Sequence, residues 1–279
     1  CDIHVTGPWE DALSRSVQQH AKDSARVLPI IEPTCPAVLN LIQMKFPSLI
    51  DNIAPFLSPL EALVRTLGSR SLLVVALCPS QRSSLVSVDT SHPIEFVSPK
   101  ALRDVLAPVL RVLKDDIADH EPSAPIAESS TGLRETLRVD GLAHVSNLLE
   151  RYENGLLGSV RVLRLFACDQ GCFGSPLLEE NPYLAEFRWR REEHELGANA
   201  LAHPREVRVS ARVGVRLDET MSLAVLKLAR IDELTRTLPG KDCGRCGAPS
   251  CASLAEDIVM GRAELADCLV LNSKNEGAR

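Results

Sequence analysis

Four cysteines near the C-terminus, Cys243, Cys246, Cys251 and Cys268, follow the spacing C-x2-C-x4-C-x16-C. Two residues between the first pair let both thiolates reach one metal centre from a tight turn. Gly244 and Gly247 each follow a cysteine directly; they free the backbone to wrap and to aim its amides at sulfur. Ser250 is placed to cap a helix over Cys251 to Met260, where Leu254, Ala255 and Ile258 share one apolar stripe and which Gly261 stops. Cys268 then returns the chain to the same centre. A structural zinc site is built from two paired knuckles or from cysteine with histidine, and a second knuckle is missing here. Buried structural cysteines would not need the glycines. A four-thiolate 4Fe-4S cluster matches the pattern most fully. Lys241 and Arg245, beside Cys243 and Cys246, are candidates for tuning its potential, or are ordinary surface charge.

This stretch resembles the small 4Fe-4S domain of the Rnf electron-transport B subunit and of the corrinoid iron–sulfur protein. The pattern there is Cys-Gly-x-Cys-Gly-x-x-x-Cys followed by Ala, by Gly-x-Ala and by Asp-Cys, and every part of it is present between Cys243 and Cys268.

Five further cysteines remain of the nine, at 1, 35, 78, 168 and 172. To ask whether they meet, the elements must be placed. A helical stretch from Trp9 to about Arg26 carries Ala12, Leu13, Val17 and Ala21 on one side. Val27 to Ile31 reads as a short strand running into a turn at Cys35-Pro36, with a helix from Pro36 towards Phe46. Ser58-Pro59 opens a second helix, to Leu67. The apolar run Ser71 to Leu77 reads as a strand buried on both faces, and it ends at Cys78-Pro79. His92 to Val97 is a strand, Ser98-Pro99 opens a helix to about Ile117, and His120 to Gly132 is a Pro/Ser/Glu-rich loop. Glu135 to Val139 is a strand and Leu142 to Glu153 a helix. Val160 to Ala167 is another strand, and it too stops at cysteine, in Cys168-Asp-Gln-Gly-Cys172.

Strands alternating with helices predict an α/β domain with a largely parallel sheet. In such sheets ligands gather beyond the carboxyl ends of the strands, so Cys35, Cys78, Cys168 and Cys172 are expected to converge at one end. The alternative is that they are small buried hydrophobes. That reading suits one strand end better than it suits three strand ends and a C-x3-C turn.

A second resemblance now becomes visible. Glu32-Pro-Thr-Cys35-Pro-Ala-Val with the later Lys45-Phe-Pro-Ser-Leu-Ile-Asp-Asn-Ile, then Leu77-Cys78-Pro, then Phe166-Ala-Cys168-Asp-Gln-Gly-Cys172 are similar, in order and spacing, to the three signatures of the diiron (iron-only) hydrogenase catalytic domain. The resemblance starts inside that domain and runs to about residue 190. It implies that these four cysteines hold a 4Fe-4S cubane, with Cys168 also bridging to a diiron subsite. Thr34 stands where that family has a proton-relaying cysteine, and threonine does not titrate near neutrality. Gln81 stands where it has a lysine that holds a ligand of the diiron site. The cubane ligands survive these departures; much of the surroundings of a diiron subsite does not.

The bulk properties narrow the classes. Apolar residues make up 45% and charged residues 24%, the ordinary globular range. A net charge of −6 without a dense basic run argues against nucleic acid as partner. The longest apolar run, Leu72 to Cys78, is too short to span a bilayer, and no export signal is visible. A reducing, cytoplasmic setting is therefore expected. The start at Cys1 is read as that of a fragment or processed chain, and the resemblance implies a ferredoxin-like module upstream or a separate ferredoxin as redox partner.

The expected organisation is a hydrogenase-like α/β domain over residues 1–195, N-terminally incomplete, a linker over 196–221, and a small, mainly helical cluster module over 222–279. Within the linker, Glu206 to Leu217 reads as a strand or extended chain. Ser222 to Thr237 reads as a helix with Leu223, Leu226, Leu228 and Ile231 on its apolar side. Glu186 to Glu195 reads as a solvated, salt-bridged helix. The seven scattered histidines show no ligand spacing. The expected function is iron–sulfur electron transfer or redox or hydrogen sensing. The alternatives are an active diiron hydrogenase and a zinc-stapled interaction protein.

Overall fold

The computed structural model describes residues 2–22, 28–86, 88–113, 135–191, 200–212 and 217–276. Cys1 and the expected loop at 120–132 lie outside them.

Helix α1 (Gly7–Lys22) buries Trp9, Leu13, Val17 and Ala21, spaced four apart along one face. Strand β1 is only Ile30–Ile31. Cys35 is the N-cap of α2 (Pro36–Lys45), whose proline takes the first turn, where no amide is needed. After a 3₁₀ turn over Pro47–Asn52 comes α3 (Pro59–Leu67). Its start is fixed by a capping box: Ser58 N–H donates to Glu61 Oε2 at 2.8 Å, and Glu61 N–H donates to Ser58 Oγ at 3.4 Å. Next come β2 (Leu72–Val75), α4 (Pro79–Leu85), β3 (Ile94–Val97) and α5 (Pro99–Leu113). Strand β4 (Thr136–Asp140), α6 (Leu142–Glu153), β5 (Val162–Phe166), a 3₁₀ turn over Gly171–Gly174 and α7 (Pro182–Arg191) complete the larger body.

The class is α/β with parallel strands, as the alternation of elements predicts, but the strands form two small sheets. β5 is the centre of one, with β1 on one side and β4 on the other; β2 and β3 form a separate pair. All pairings are parallel. Leu163 and Leu165 of β5 lie in the main core with Val38, Leu41 and Ile42 of α2 and with Val145 and Leu149 of α6. The Leu72 run is not buried on both faces. Val74 is buried, whereas Leu73 is 59% and Val75 36% exposed, because a pair with helices on one side only leaves its other face open.

Helix α8 (Met221–Thr237) leads into the C-terminal module, followed by α9 (Cys251–Val259), a 3₁₀ turn over Leu265–Asp267 and α10 (Leu269–Glu276). The apolar side expected on α8 is also not covered. Leu223, Leu226 and Leu228 are exposed, and only the last turns pack, where Leu234 and Leu238 meet Leu254, Ala255 and Cys268. The stripe in the sequence is present, but α9 is nine residues long and reaches only the C-terminal part of a helix of 17.

Residues 203–212 are extended, and they lie along the larger body. His203 O accepts from Leu57 N–H at 2.8 Å, Arg205 N–H donates to Pro55 O at 3.0 Å, and Arg212 N–H donates to Gln43 O at 3.0 Å. Arg205 pairs with the buried Glu61 at 2.9 Å. Arg212 reaches the other way, to Asp257 of α9, so this strap ties the module to the larger body. Among the described residues no helix is long and apolar enough to cross a membrane.

Candidate iron–sulfur centres

Three cysteines of the larger body stand at element boundaries. Cys35 caps α2, Cys78 caps α4 directly after Ala76-Leu77 at the end of β2, and Cys168 follows β5 after Ala167. Cys172 lies in the 3₁₀ turn, reached through Gln170 and Gly171, both at positive φ (62° and 61°). The structure brings all four around one cavity of about 30 Å³, whose wall is otherwise largely apolar, including Leu77, Phe166 and Ala167.

Burial pushes all four thiols up, Cys78 to about 11 and Cys168 to about 12. The second cause at Cys168 and Cys172 is mutual: Cys35 and Cys78 each oppose a further negative charge there. Backbone amides counter this in part, those of Ser80 and Gln81 at Cys78 and those of Ala167, Val38 and Ala37 at Cys35. Held as thiolates, the four would need a cationic centre to balance them in so apolar a pocket.

The second quartet, Cys243, Cys246, Cys251 and Cys268, lines its own cavity of about 20 Å³ in the module. Here the local signals act as expected. Gly244 and Gly247 sit at φ 66° and 100°, in backbone conformations that side chains rarely adopt, and turn the loop around the cavity. Ser250 Oγ accepts from Ser253 N–H at 3.1 Å and starts α9 at Cys251. Asp242 Oδ1 accepts from Cys251 N–H at 2.6 Å, closing the loop across the first and third cysteines. Leu254 and Ala255 are buried, Cys268 is 5% exposed, and Gly261 follows α9 at φ 69°. Burial raises Cys246 to about 11, helped by Cys243 and Cys268.

The two cavities are neighbours. Gly244 and Arg245 line both, and Arg245 is the cation that favours the Cys168 thiolate. The contact between the bodies is made by glycine backbone. A Cβ on Gly244 would stand 2.6 Å from Leu142 Cδ2, and one on Gly247 would strike Ser80 Oγ. Asn40 Nδ2 donates to Gly247 O at 3.0 Å.

Both sets fit a thiolate-bound cluster. The donors are soft sulfurs, the loop glycines form a cradle that side chains would fill, and Ser80 Oγ is buried beside the first cavity with no hydrogen-bond partner. A mononuclear tetrahedral zinc site would hold its sulfurs about 3.8 Å apart. Among the described residues no three His, Cys, Asp or Glu side chains come together closely enough to hold a single ion.

Thr34 and Gln81 are both turned to local partners. Thr34 Oγ1 donates to Glu32 Oε1 at 2.7 Å, and Gln81 Oε1 accepts from Leu77 N–H at 2.8 Å. Sequence reasoning missed Asn40 and Ser80, whose relevance depends wholly on the second body. It also missed Glu186. This residue of the mixed-charge helix is buried rather than solvated; it takes Arg138 at 3.2 Å and Gln170 from behind the Cys168–Cys172 turn. A buried glutamate met by a half-exposed arginine from another element carries no local sequence signal.

A family model described as "Putative Fe-S cluster" matches residues 238–270. No curated protein matches the chain. Over that stretch, which holds all four cysteines of the second quartet, the chain is similar to an Fe–S cluster domain.

Proposed function

We propose that this chain is a two-cluster iron–sulfur protein that passes single electrons between a 4Fe-4S cluster on Cys243, Cys246, Cys251 and Cys268 and a second on Cys35, Cys78, Cys168 and Cys172. The observation that carries this reading is the shared wall of Gly244 and Arg245 between the two cavities. One cluster in each would supply reversible one-electron chemistry at a potential set by charge, burial and hydrogen bonds to sulfur. The chain's own residues do the rest. Cys243 and Cys246 face one cavity while the two residues between them close the other, and the apolar walls exclude water. Arg245 places a positive charge beside Cys168, where electron density would otherwise be opposed. Electrons would enter from a ferredoxin-type partner or an upstream ferredoxin-like domain. The eight described cysteines are free thiols, which suits a reducing compartment.

Anaerobically purified protein should contain about eight iron and eight acid-labile sulfide per chain. On full reduction its EPR spectrum should show two paramagnetic centres broadened by each other. Four iron per chain, or two reduced centres without magnetic interaction, would remove the first site or its coupling.

A further inference from the structure

Ser80 is 3% exposed and its hydroxyl has no hydrogen-bond partner. It lines the first cavity. It stands two residues after Cys78 and against Gly247 of the cluster loop, which is packed so closely that a Cβ there would strike Ser80 Oγ and come 3.0 Å from its Cβ. A buried hydroxyl left unpaired is costly, and in a folded protein it calls for a partner. The Ser80 O–H rotates freely about its C–O bond. Gly247 closes one side of it, and the cavity lined by Cys35, Cys78, Cys168 and Cys172 lies on another.

We propose that Ser80 donates an O–H···S hydrogen bond to the cluster held by Cys35, Cys78, Cys168 and Cys172, and that Gly247 of the second loop aims it. The proposal rests on the two-cluster reading above. It makes Ser80 a positioning and potential-setting residue. A donor to sulfur stabilises the more negative, reduced state, and so raises the potential of that cluster alone. Because the residue that aims the hydroxyl belongs to the loop of the other cluster, the potential of the first becomes sensitive to how the module is seated.

The test uses the full chain, reconstituted anaerobically, with iron and sulfide counted first. In Ser80→Ala, an EPR-monitored titration should show the first cluster reduced at a more negative potential and the second unmoved. The coupling to a proton exchangeable in D₂O, seen by ENDOR on the first cluster, should be lost. Ser80→Thr, which keeps the hydroxyl, should retain both properties. An unchanged potential with the exchangeable proton still present, at full iron content, would overturn the assignment. So would an equal shift of both clusters, which would signal a structural effect. Wild-type protein with iron for one cluster only would instead strike at the two-cluster reading itself, before any variant is compared.

Discussion

Asn40 Nδ2 donates to Gly247 O at 3.0 Å across 207 residues of sequence. Asn40 lies on the helix that Cys35 caps, and Gly247 follows Cys246, so one hydrogen bond joins the scaffolds of the two thiolate sets. Asn40→Ala would leave the Gly247 carbonyl without this donor at a cost of about 1 kcal/mol. The expected outcome is retained iron, faster hydrogen exchange of the 243–251 loop, and a weaker magnetic interaction between the reduced clusters.

Gly244 has a close match within the same segment. Gly240 shares its φ of 66°, but a Cβ there meets nothing within 4 Å, whereas on Gly244 it would press on Leu142. Gly240→Ala therefore reports backbone strain alone, about 1–2 kcal/mol. Gly244→Ala adds the cost of pushing the module off α6. Thermal unfolding should rank Gly244→Ala clearly below Gly240→Ala, and only the former should change the interaction between clusters. Equal effects would show that the glycine contact does not seat the module.

How much of this could be read from the sequence depended on the range of each signal. The prolines opening α2 and α3 and the glycine that ends α9 are local, and each marked its element. The spacing of Cys243 to Cys268 is equally local. The meeting of Cys35, Cys78, Cys168 and Cys172 was legible one level up, because elements that end in cysteine in a parallel α/β body deliver them to one side. Helix α4 was missed because Pro79 to Leu85 is mostly serine, arginine and glutamine with no apolar period. The open face of β2 was misread, and the apolar side of α8 is left largely bare, because an apolar run reports what could be covered, not whether a neighbour is long enough to cover it. Asn40, Ser80 and Leu142 meet the cluster loop only through the docking of two bodies, and nothing in their own neighbourhoods marks them.

The strap at 203–212 introduces a pH dependence. His203 sits at 3.1 Å from Thr66 Oγ1, and burial followed by the nearby Arg65 lowers its pKa from the ordinary 6.5. The folded state thus favours the neutral ring. The stabilisation is complete above about pH 6.5 and is lost as the pH falls from there through the lower folded value. The protection factor of the Leu57 amide, which donates to His203 O, should fall on acidification from pH 7 to 5 once the slower intrinsic exchange at low pH is divided out. His203→Gln should flatten that profile, and an unaltered profile would place the sensitivity elsewhere.

Metal removal should separate the two bodies. The module core comprises few buried side chains, chiefly Leu234, Leu238, Leu254 and Ala255; at roughly 1.5–3 kcal/mol for each leucine, so small a core leans on its thiolate ligation to stay folded. The β5 core is larger and has its own helices on it. Chelation under oxidising conditions should therefore abolish amide protection in α9 while Leu163 and Leu165 stay protected. Loss of both together would mean that the bodies unfold as one cooperative unit.

The last prediction concerns diiron chemistry at the first site. A proton relay needs a group that titrates near the working pH and points at the reacting atoms. Thr34 meets neither condition, since its hydroxyl is donated to Glu32 at 2.7 Å. Gln81, in the first turn of α4, is folded back onto Leu77 just past β2, taking its amide at 2.8 Å, and it carries no positive charge to hold a ligand of a diiron centre. Protein produced together with a hydrogenase maturation system should accordingly show no infrared bands of iron-bound carbonyl or cyanide, and no hydrogen turnover above that of Cys168→Ser. Clear bands would mean that other side chains around this cavity complete a diiron site, and would move the chain from electron carrier to enzyme. The double variant Thr34→Cys and Gln81→Lys tests the same logic from the other side. If those two positions are what is lacking, bands should appear there first, with the iron of both clusters retained.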